Sequence, residues 1–204
     1  MTCIVLVRHG QTEWNRIERF RGRADVSLNE TGLAQAEATG RRVASEWQPT
    51  AIYASPLSRA VKTAEAIARH FSLPVQVHQG IADIDFGQWQ GLTPDEVKAH
   101  WPEIHHAWYN APHMARIPGG ETLDDLRVRG MTAVNELAAH HVGQTIVLVG
   151  HTVINRVILL GVLGLHNDRF WRLQQDTCAI NVFTVENGEF TLASLNDTCH
   201  LRSM

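Results

Sequence analysis

Two short apolar phrases in the sequence each lead to a histidine. Residues 4–7 read Ile-Val-Leu-Val and come shortly before His9; residues 146–149 read the same and come shortly before His151. Uninterrupted runs of branched residues are typical of strands buried on both faces, and ligands of such sheets bind beyond the carboxyl ends of the strands. If the two strands are neighbours, the two imidazoles lie together at one edge of the sheet.

His9 has the neighbours of a nucleophile that attacks an anion. Arg8 supplies a fixed positive charge, and Gly10 has no Cβ, so that backbone N–H groups can approach a ligand. An imidazole in this setting can itself form a covalent bond to the substrate. On the tripeptide alone, a histidine that only caps the strand through hydrogen bonds is an equally good interpretation.

Three further side chains could complete a site for phosphate. Arg59 falls one turn into a predicted helix and could grip a phosphate through its guanidinium. His151 begins a helix whose free N–H groups would face an anion, and its protonated ring would add another positive charge. Asp83, among Ile, Phe and Trp residues, would have a raised pKa, as a general acid needs. The alternatives are a solvated helix charge, a buried histidine satisfied by the backbone, and a loop aspartate in an Asx-turn.

Together these residues favour phosphoryl transfer without a metal. His9 would attack phosphorus, while Asp83 would protonate the departing oxygen and later deprotonate water. Arg8, Arg59 and His151 would balance the charge of the transferred group. A metal site is the rival interpretation of the histidines, but arginines beside the ligands would repel a cation and no His-x-x-x-His spacing occurs. The sequence therefore predicts neither a metal nor a cofactor.

The composition is that of an ordinary globular protein. The chain has 204 residues, 44% of them hydrophobic and 19% charged, and a formal net charge of −3. This charge argues against binding of nucleic acid or a membrane surface, and no apolar run approaches the roughly 18 residues of a membrane span. Because the N-terminus enters a strand without a leader and the three cysteines are scattered, we expect a cytoplasmic protein with reduced thiols.

The elements that must position these residues alternate between strands and helices. Besides the two histidine strands, short strands are predicted at 51–54 and 75–77, and helices at 31–47, 122–141 and 153–163. Ser55 and Pro56 are expected to cap and begin the helix that carries Arg59, and Asn187-Gly188 to turn a C-terminal hairpin. The pattern predicts an α/β fold, a three-layer sandwich with a mostly parallel central sheet flanked by helices.

The chain is predicted to be one domain, residues 1–204, with an insertion at about 80–120. The insertion is irregular and rich in Trp, His and Pro, with one helix expected after Thr93. A stretch of this kind over the sheet suits a lid or a specificity wall. Trp101, Trp108 and Tyr109 could line the wall, although aromatic residues in an insertion more often form core.

Six ordered stretches carry a further signal. Residues 7–15 read Val-Arg-His-Gly-Gln-Thr-Glu-Trp-Asn, and residues 55–60 read Ser-Pro-Leu-Ser-Arg-Ala; the others are residues 20–28, 86–91, 118–122 and 149–151. In this order they resemble the motifs of the histidine phosphatase superfamily, in its phosphoglycerate-mutase-like branch. The resemblance covers almost the whole chain. It implies the three-layer fold of that family and a small phosphatase that needs no cofactor.

The resemblance also implies roles for single residues. His9 would be the phosphorylated nucleophile, and the phosphate pocket would be completed by Arg8, Arg59 and His151. Asn15 would contact the phosphoryl group. The general acid is expected at Asp83, where most members carry glutamate, with Asp85 as the fallback.

The mouth of the predicted pocket is basic. Arg21 stands where glutamine is common in the family, and Arg16, Arg19 and Arg23 lie near it in sequence. This favours a substrate with a second anionic group, such as a carboxylate, although a solvated loop charge is an equally good interpretation. Gly22 and Thr152 are the remaining candidates for substrate binding.

Three functions remain open at this point. The first is a phosphomonoesterase that hydrolyses small phosphorylated metabolites through a phosphohistidine. The others are phosphoryl transfer of the phosphoglycerate mutase type and a catalytically weak sensor of a phosphometabolite. Chain length favours the first, since similar mutases usually carry a larger insertion and an extra C-terminal tail. The expected partner is a small phosphorylated substrate, with the protein a monomer or a homodimer.

Overall fold

A mixed sheet of six strands is the centre of the computed structural model, which describes residues 1–202. The strands are β1 (Thr2–Arg8), β2 (Ala51–Ala54), β3 (Val75–Val77), β4 (Thr145–Gly150), β5 (Ile180–Glu186) and β6 (Glu189–Asp197). Their order is β3-β2-β4-β1-β5-β6. The first four strands of this order pair in parallel, whereas β5 pairs antiparallel with β1 and β6 pairs antiparallel with β5. The predicted α/β fold with a mostly parallel sheet is confirmed. Residues 203 and 204 of the predicted domain lie outside the described residues.

The register of β1 and β4 brings the two histidines together. The strands pair in parallel with Arg8 opposite Gly150, so that each histidine follows at the same edge of the sheet. The backbone N–H of His9 donates to the carbonyl of Gly150 at 3.0 Å. The repeated apolar phrase thus predicted the neighbouring strands correctly.

Helices cover both faces of the sheet. Within residues 1–202 the α-helices are α1 (Glu13–Arg16), α2 (Glu30–Glu46), α3 (Ser58–Ala68), α4 (Pro94–His100), α5 (Pro102–Asn110), α6 (Leu123–His140) and α7 (Thr152–Val162). On β1, Val5 and Val7 pack into a core with α2 and α3, whereas Ile4 and Leu6 pack into a second core with α6 and α7. Alternating side chains of one strand therefore join two cores, which explains why its sequence is apolar without interruption.

The start of α3 differs from the prediction. The helix begins at Ser58 with Leu57 as its N-cap residue, and no side chain caps it. The expectation that Ser55 caps this helix and Pro56 begins it is wrong. The Ser55 hydroxyl is buried, accepts from the N–H of Leu57 at 3.4 Å and bonds to His151 at 2.6 Å.

Residues 80–120 contain one more helix than predicted. Thr93 begins α4 with a capping box to Glu96, as expected, but Pro102 opens α5 directly after it. Trp108 on α5 is buried in the core, while Tyr109 beside it is partly exposed and lines a pocket. The tail forms the expected hairpin, with Asn187 and Gly188 both at positive φ in its turn. None of the helices described combines the length and apolar character that a bilayer crossing requires.

Candidate active site

His9 is held as a neutral imidazole with one free nitrogen. Its ring is buried, and Nδ1 lies 2.6 Å from the carbonyl oxygen of Gly10. Because a carbonyl can only accept, Nδ1 carries the proton and Nε2 keeps its lone pair. Burial lowers the pKa of His9 well below its usual value, and the charges of Arg59 and Arg8 lower it further. At neutral pH the ring is therefore uncharged, and the lone pair of Nε2 is available for attack on an electrophile.

The backbone around Gly10 needs the absence of a side chain. A Cβ at this position would lie 2.4 Å from the carbonyl oxygen of Gly32 at the start of α2. The N–H of Gly10 donates to the hydroxyl of Thr63 on α3 at 3.1 Å. The loop after β1 is thus fixed against both helices of this face.

His151 lies against His9 and is neutral as well. The ring centroids are 5.0 Å apart with the planes tilted by 59°. The Nε–H of Arg59 donates to Nδ1 of His151 at 3.2 Å, so that Nε2 carries the proton and donates to the Ser55 hydroxyl at 2.6 Å. Burial and the nearby arginines lower the pKa of His151 well below its usual value. The positive charge of the site therefore comes from the guanidinium groups, not from this ring as the sequence suggested.

Arg59 links three parts of the site. It is completely buried, and its guanidinium donates to the carbonyls of Ala24 at 2.7 Å and Gly22 at 2.8 Å. The same group lies 3.5 Å from the carboxylate of Asp83. The arginine thus ties the loop of residues 20–28 to His151 and to the candidate acid.

Arg8 ends β1 at the wall of the same site. One terminal nitrogen donates to the backbone carbonyl of Gln175, whose side-chain amide exchanges hydrogen bonds with Asn181 at 2.8 and 2.9 Å. Burial lowers the pKa of Arg8 to about 9, with a further contribution from Arg21 and Arg156. Arg8 is therefore still charged at neutral pH, within a cluster of cations that an anion would stabilise.

Asp83 has the environment expected of a general acid. Its carboxylate is buried, accepts from its neighbour's N–H at Ile84 at 3.0 Å, and lies 3.8 Å from Nδ1 of His151. Burial raises the pKa of Asp83 above its usual value and outweighs the opposing charges of Arg59 and Arg21. The net shift is therefore in the direction that the sequence predicts for a general acid.

Asp85 lies apart from this cluster. Its carboxylate accepts from the N–H of Gly87 at 2.8 Å, the contact of an Asx-turn, and lies 3.7 Å from Arg23. About a third of the side chain is exposed, at 36%. Asp85 therefore has the Asx-turn role that the sequence also allowed for Asp83.

Comparison with known proteins decides the family. The family model of the histidine phosphatase superfamily (branch 1) matches residues 4–198. The chain belongs to this superfamily. It is 35% identical to phosphoserine phosphatase 1 of Hydrogenobacter thermophilus over 98% of this chain and 95% of that protein. It is also 33% identical to the metal-independent phosphoserine phosphatase of Arabidopsis thaliana, over 100% of this chain and 85% of that protein.

A solved structure of the same superfamily has nearly the same fold. It is a mutant phosphoserine phosphatase from Entamoeba histolytica in complex with phosphoserine, with a TM-score of 0.89 and 27% identity; the match covers 98% of this chain and 100% of that one. These relatives confirm the predicted enzyme class. The chain is a phosphatase of small phosphorylated metabolites, a hydrolase of the histidine phosphatase superfamily.

The remaining candidate residues of this histidine phosphatase line one pocket beside the histidines. Its volume is about 440 Å³, and it is bordered by Arg8 and Asp83 together with Asn15, Arg21, Gly22 and Thr152. Arg21 donates to the carbonyl of Trp14 at 3.0 Å, and burial lowers its pKa. It is therefore a charge of the pocket and not a solvated loop residue.

Asn15 and Thr152 differ in how their polar atoms are used. The side-chain oxygen of Asn15 accepts from the N–H and the hydroxyl of Thr12, both at 2.9 Å, and its amide N–H₂ donates to no group of residues 1–202. The hydroxyl of Thr152 is buried and has no hydrogen-bond partner among the described residues. Both groups are thus available to an oxygen-rich ligand.

Two residues of this phosphatase site escaped the sequence analysis. Ser55 belongs to residues 55–60, one of the six stretches that resemble the family motifs. Because a proline follows it, we expected it to cap a helix. Arg156 lies one turn after Thr152 on α7 and lines the same pocket. The i, i+4 spacing from Thr152 is the only signal in the sequence that could have indicated it.

Proposed function

We propose that this protein is a metal-independent phosphomonoesterase that works through a phosphohistidine on His9. The observation that carries the proposal is the free Nε2 of a buried neutral His9, whose ring centroid lies 5.0 Å from that of His151 in a site that also contains Arg8 and Arg59. A phosphoryl group brings negative charge to this cluster, and the arginines stabilise it in the transition state. A cation at the same place would meet three arginines instead of an anionic ligand set.

In the first step the Nε2 lone pair of His9 attacks phosphorus. The N–P bond forms as the ester P–O bond breaks, and the proton of Asp83 goes to the departing oxygen. Arg8, Arg59 and His151 hold the oxygens of the transferred group. The incoming dianion opposes the effect of the arginines on His151 and raises its pKa, so that the ring can take up a proton while phosphate is bound.

In the second step water releases the phosphate. The carboxylate of Asp83 takes a proton from a water molecule, whose oxygen attacks phosphorus as the N–P bond breaks. Inorganic phosphate leaves, and His9 and protonated Asp83 return to their starting states. Asn15 and Thr152 donate to the phosphoryl oxygens in both steps.

Phosphoserine is the first substrate to test. The relatives named above are phosphoserine phosphatases, and the pocket has more positive charge than a phosphate alone requires. Arg21 adds to this charge in place of a neutral glutamine, which favours a substrate with a second anionic group. We further propose that the protein is a single domain and that it acts in the cytoplasm on a diffusible metabolite.

Turnover with a chelator tests the proposed function. We expect hydrolysis of p-nitrophenyl phosphate and phosphoserine, followed as released phosphate, to be unchanged in EDTA because side chains supply the charge that a metal would otherwise supply. Transfer of phosphate from 2,3-bisphosphoglycerate to phosphoglycerate would identify a mutase instead. Absence of turnover on any phosphomonoester would favour the sensor.

Ser55 is expected to act by positioning His151. Ser55→Ala removes the 2.6 Å hydrogen bond that orients this ring. A lost bond of this kind is worth about 1–1.5 kcal/mol, so that kcat should fall ~10-fold. Steady-state kinetics on phosphoserine measure the change.

Ser58→Ala is the matched control. Ser58 lies on α3 close to Ser55, and its buried hydroxyl has no hydrogen-bond partner among the described residues. We expect kcat to stay at the wild-type level. An equal loss in the two variants would assign the Ser55 effect to packing of this segment and not to His151.

A further inference from the structure

We infer that Arg156 forms a carboxylate-binding subsite in the substrate pocket. This inference rests on the proposed function and adds a chemical class to it. The substrates it selects are phosphomonoesters that carry a carboxylate a few bonds from the ester oxygen.

Arg156 lines the same pocket as Arg8 and Arg21. It lies on α7 one turn after Thr152, and both residues line the pocket of about 440 Å³ that also contains Arg8, Arg21 and Asp83. Its charge is near enough to Arg8 to contribute to the lowered pKa of that residue. A substrate whose phosphate lies at Arg8 can therefore extend to Arg156 within the same pocket.

Aromatic rings fix the guanidinium of Arg156. Its central carbon lies 5.0 Å from the ring centroid of Phe170 and 4.9 Å from that of Trp171. Trp171 is held in turn by a 2.7 Å hydrogen bond from its indole N–H to the carbonyl of Trp108, and it stacks on Tyr109 at 5.3 Å. The two rings thus lie against the guanidinium of a residue that lines the pocket.

The donors of Arg156 are unused. Among the described residues its guanidinium makes no hydrogen bond to the protein and no ion pair, and its Nε is buried without a partner. Arg59 is the contrast, since all three of its nitrogens donate to protein acceptors. A charged group held in a half-buried place without an acceptor is costly, and an anionic ligand offsets that cost.

The acidic side chains nearby do not fill this role. Asp83 lines the pocket but lies against Arg59, at 3.5 Å. Glu18 also lines the pocket, but it forms no ion pair with Arg156 within residues 1–202. Asp176 acts on the pKa of Arg156, but its carboxylate is taken by the side-chain amides of Gln174 and Asn196. The charge of Arg156 is left to a ligand.

The chemistry of the group favours a carboxylate. The guanidinium presents parallel N–H donors that match the two oxygens of a carboxylate. A phosphate at this end would require more charge than a single arginine beside apolar rings offers, whereas Arg8 and Arg59 supply that charge at the other end. The pocket therefore has a phosphate end and a carboxylate end.

Paired substrates test the subsite. Phosphoethanolamine is phosphoserine without the carboxylate, so that the ratio of kcat/KM for the two esters isolates this group. In Arg156→Met the apolar stem still packs on Phe170 and Trp171 while the charge is lost. We expect the ratio of kcat/KM for phosphoserine to that for phosphoethanolamine to fall ~10- to 100-fold, mainly through the KM of phosphoserine. Arg156→Lys keeps the charge but loses the parallel N–H donors of the guanidinium, so its ratio should lie between those of the wild type and Arg156→Met.

Arg172→Met is the matched control, because Arg172 follows Trp171 with an exposed side chain outside the pocket. We expect it to keep the wild-type ratio. An unchanged ratio in Arg156→Met, with thermal unfolding like that of the wild type, overturns the subsite while the phosphatase proposal stands.

Binding to an inactive protein separates the subsite from the proposed function. In His9→Ala, calorimetry should give a tighter Kd for phosphoserine than for phosphoethanolamine, and adding Arg156→Met should remove that preference. If the wild type turns over no phosphomonoester while this Arg156-dependent preference persists, the proposed hydrolysis fails and the subsite remains. Equal affinity for the two esters overturns the subsite.

Discussion

Replacing His9 with alanine should reduce the turnover of every phosphomonoester by at least ~10⁴-fold, because the covalent route then lacks its nucleophile. The neighbouring His151 is not placed to take over this step. Its Nδ1 lone pair is directed at the Nε–H of Arg59, and its Nε2 carries a proton that is donated to Ser55. Initial rates on p-nitrophenyl phosphate measure the loss, and mass spectrometry of protein quenched during turnover shows whether a phosphoenzyme forms.

His106→Ala provides the control for this experiment. His106 is exposed on α5 and outside the pocket, so its loss should leave both the rates and the phosphoenzyme at wild-type levels. Turnover that survives in His9→Ala, or a phosphoryl group found on another residue, would remove His9 from the role of nucleophile. Loss of turnover with retained binding of phosphoserine is the result that the geometry predicts.

The backbone of the site was predictable because few signals determine it. Two identical apolar phrases required strands buried on both faces, and their parallel pairing places His9 beside His151. The capping boxes at Thr93 and Thr122 start α4 and α6 where the side chains indicate. These are local rules, and a local rule can be applied to sequence directly.

The state of the side chains was not predictable in the same way. Ser55 has the type and the proline neighbour of a helix cap, but tertiary contact with His151 prevails over the cap. The charge state of His151 depends on burial and on Arg59, which lies 92 positions away in the chain. Arg156 is held by rings of residues 170 and 171, so its orientation follows from packing and not from any motif. The contact of Ser55, the charge state of His151 and the orientation of Arg156 all depend on contacts between residues that are far apart or packed together only in the folded protein.

A narrower question is whether Asp83 serves as the acid, since the resemblance to the family leads us to expect glutamate at this position. Burial raises the pKa of this carboxyl, which favours the protonated form that a general acid needs, and the carboxylate lies 3.8 Å from Nδ1 of His151. We expect Asp83→Asn to slow the hydrolysis of phosphoserine by ~10²- to 10⁴-fold, since an alkoxide departs poorly without a proton. The same change should slow p-nitrophenyl phosphate less than about 10-fold, because nitrophenolate needs no proton.

The pH profile gives this prediction a second measurement. The protonated carboxyl of Asp83 is the active form for cleavage of the ester, so kcat/KM for phosphoserine should fall as the pH rises through its raised pKa. Asp83→Asn should lose that limb, whereas Asp85→Asn, which alters a carboxylate of the Asx-turn, should keep both the limb and the rate. Equal slowing of the two substrates in Asp83→Asn, with the limb retained, would mean that the proton comes from another group. In that case the aspartate in the place of the usual glutamate would serve to hold Arg59 and not to donate a proton.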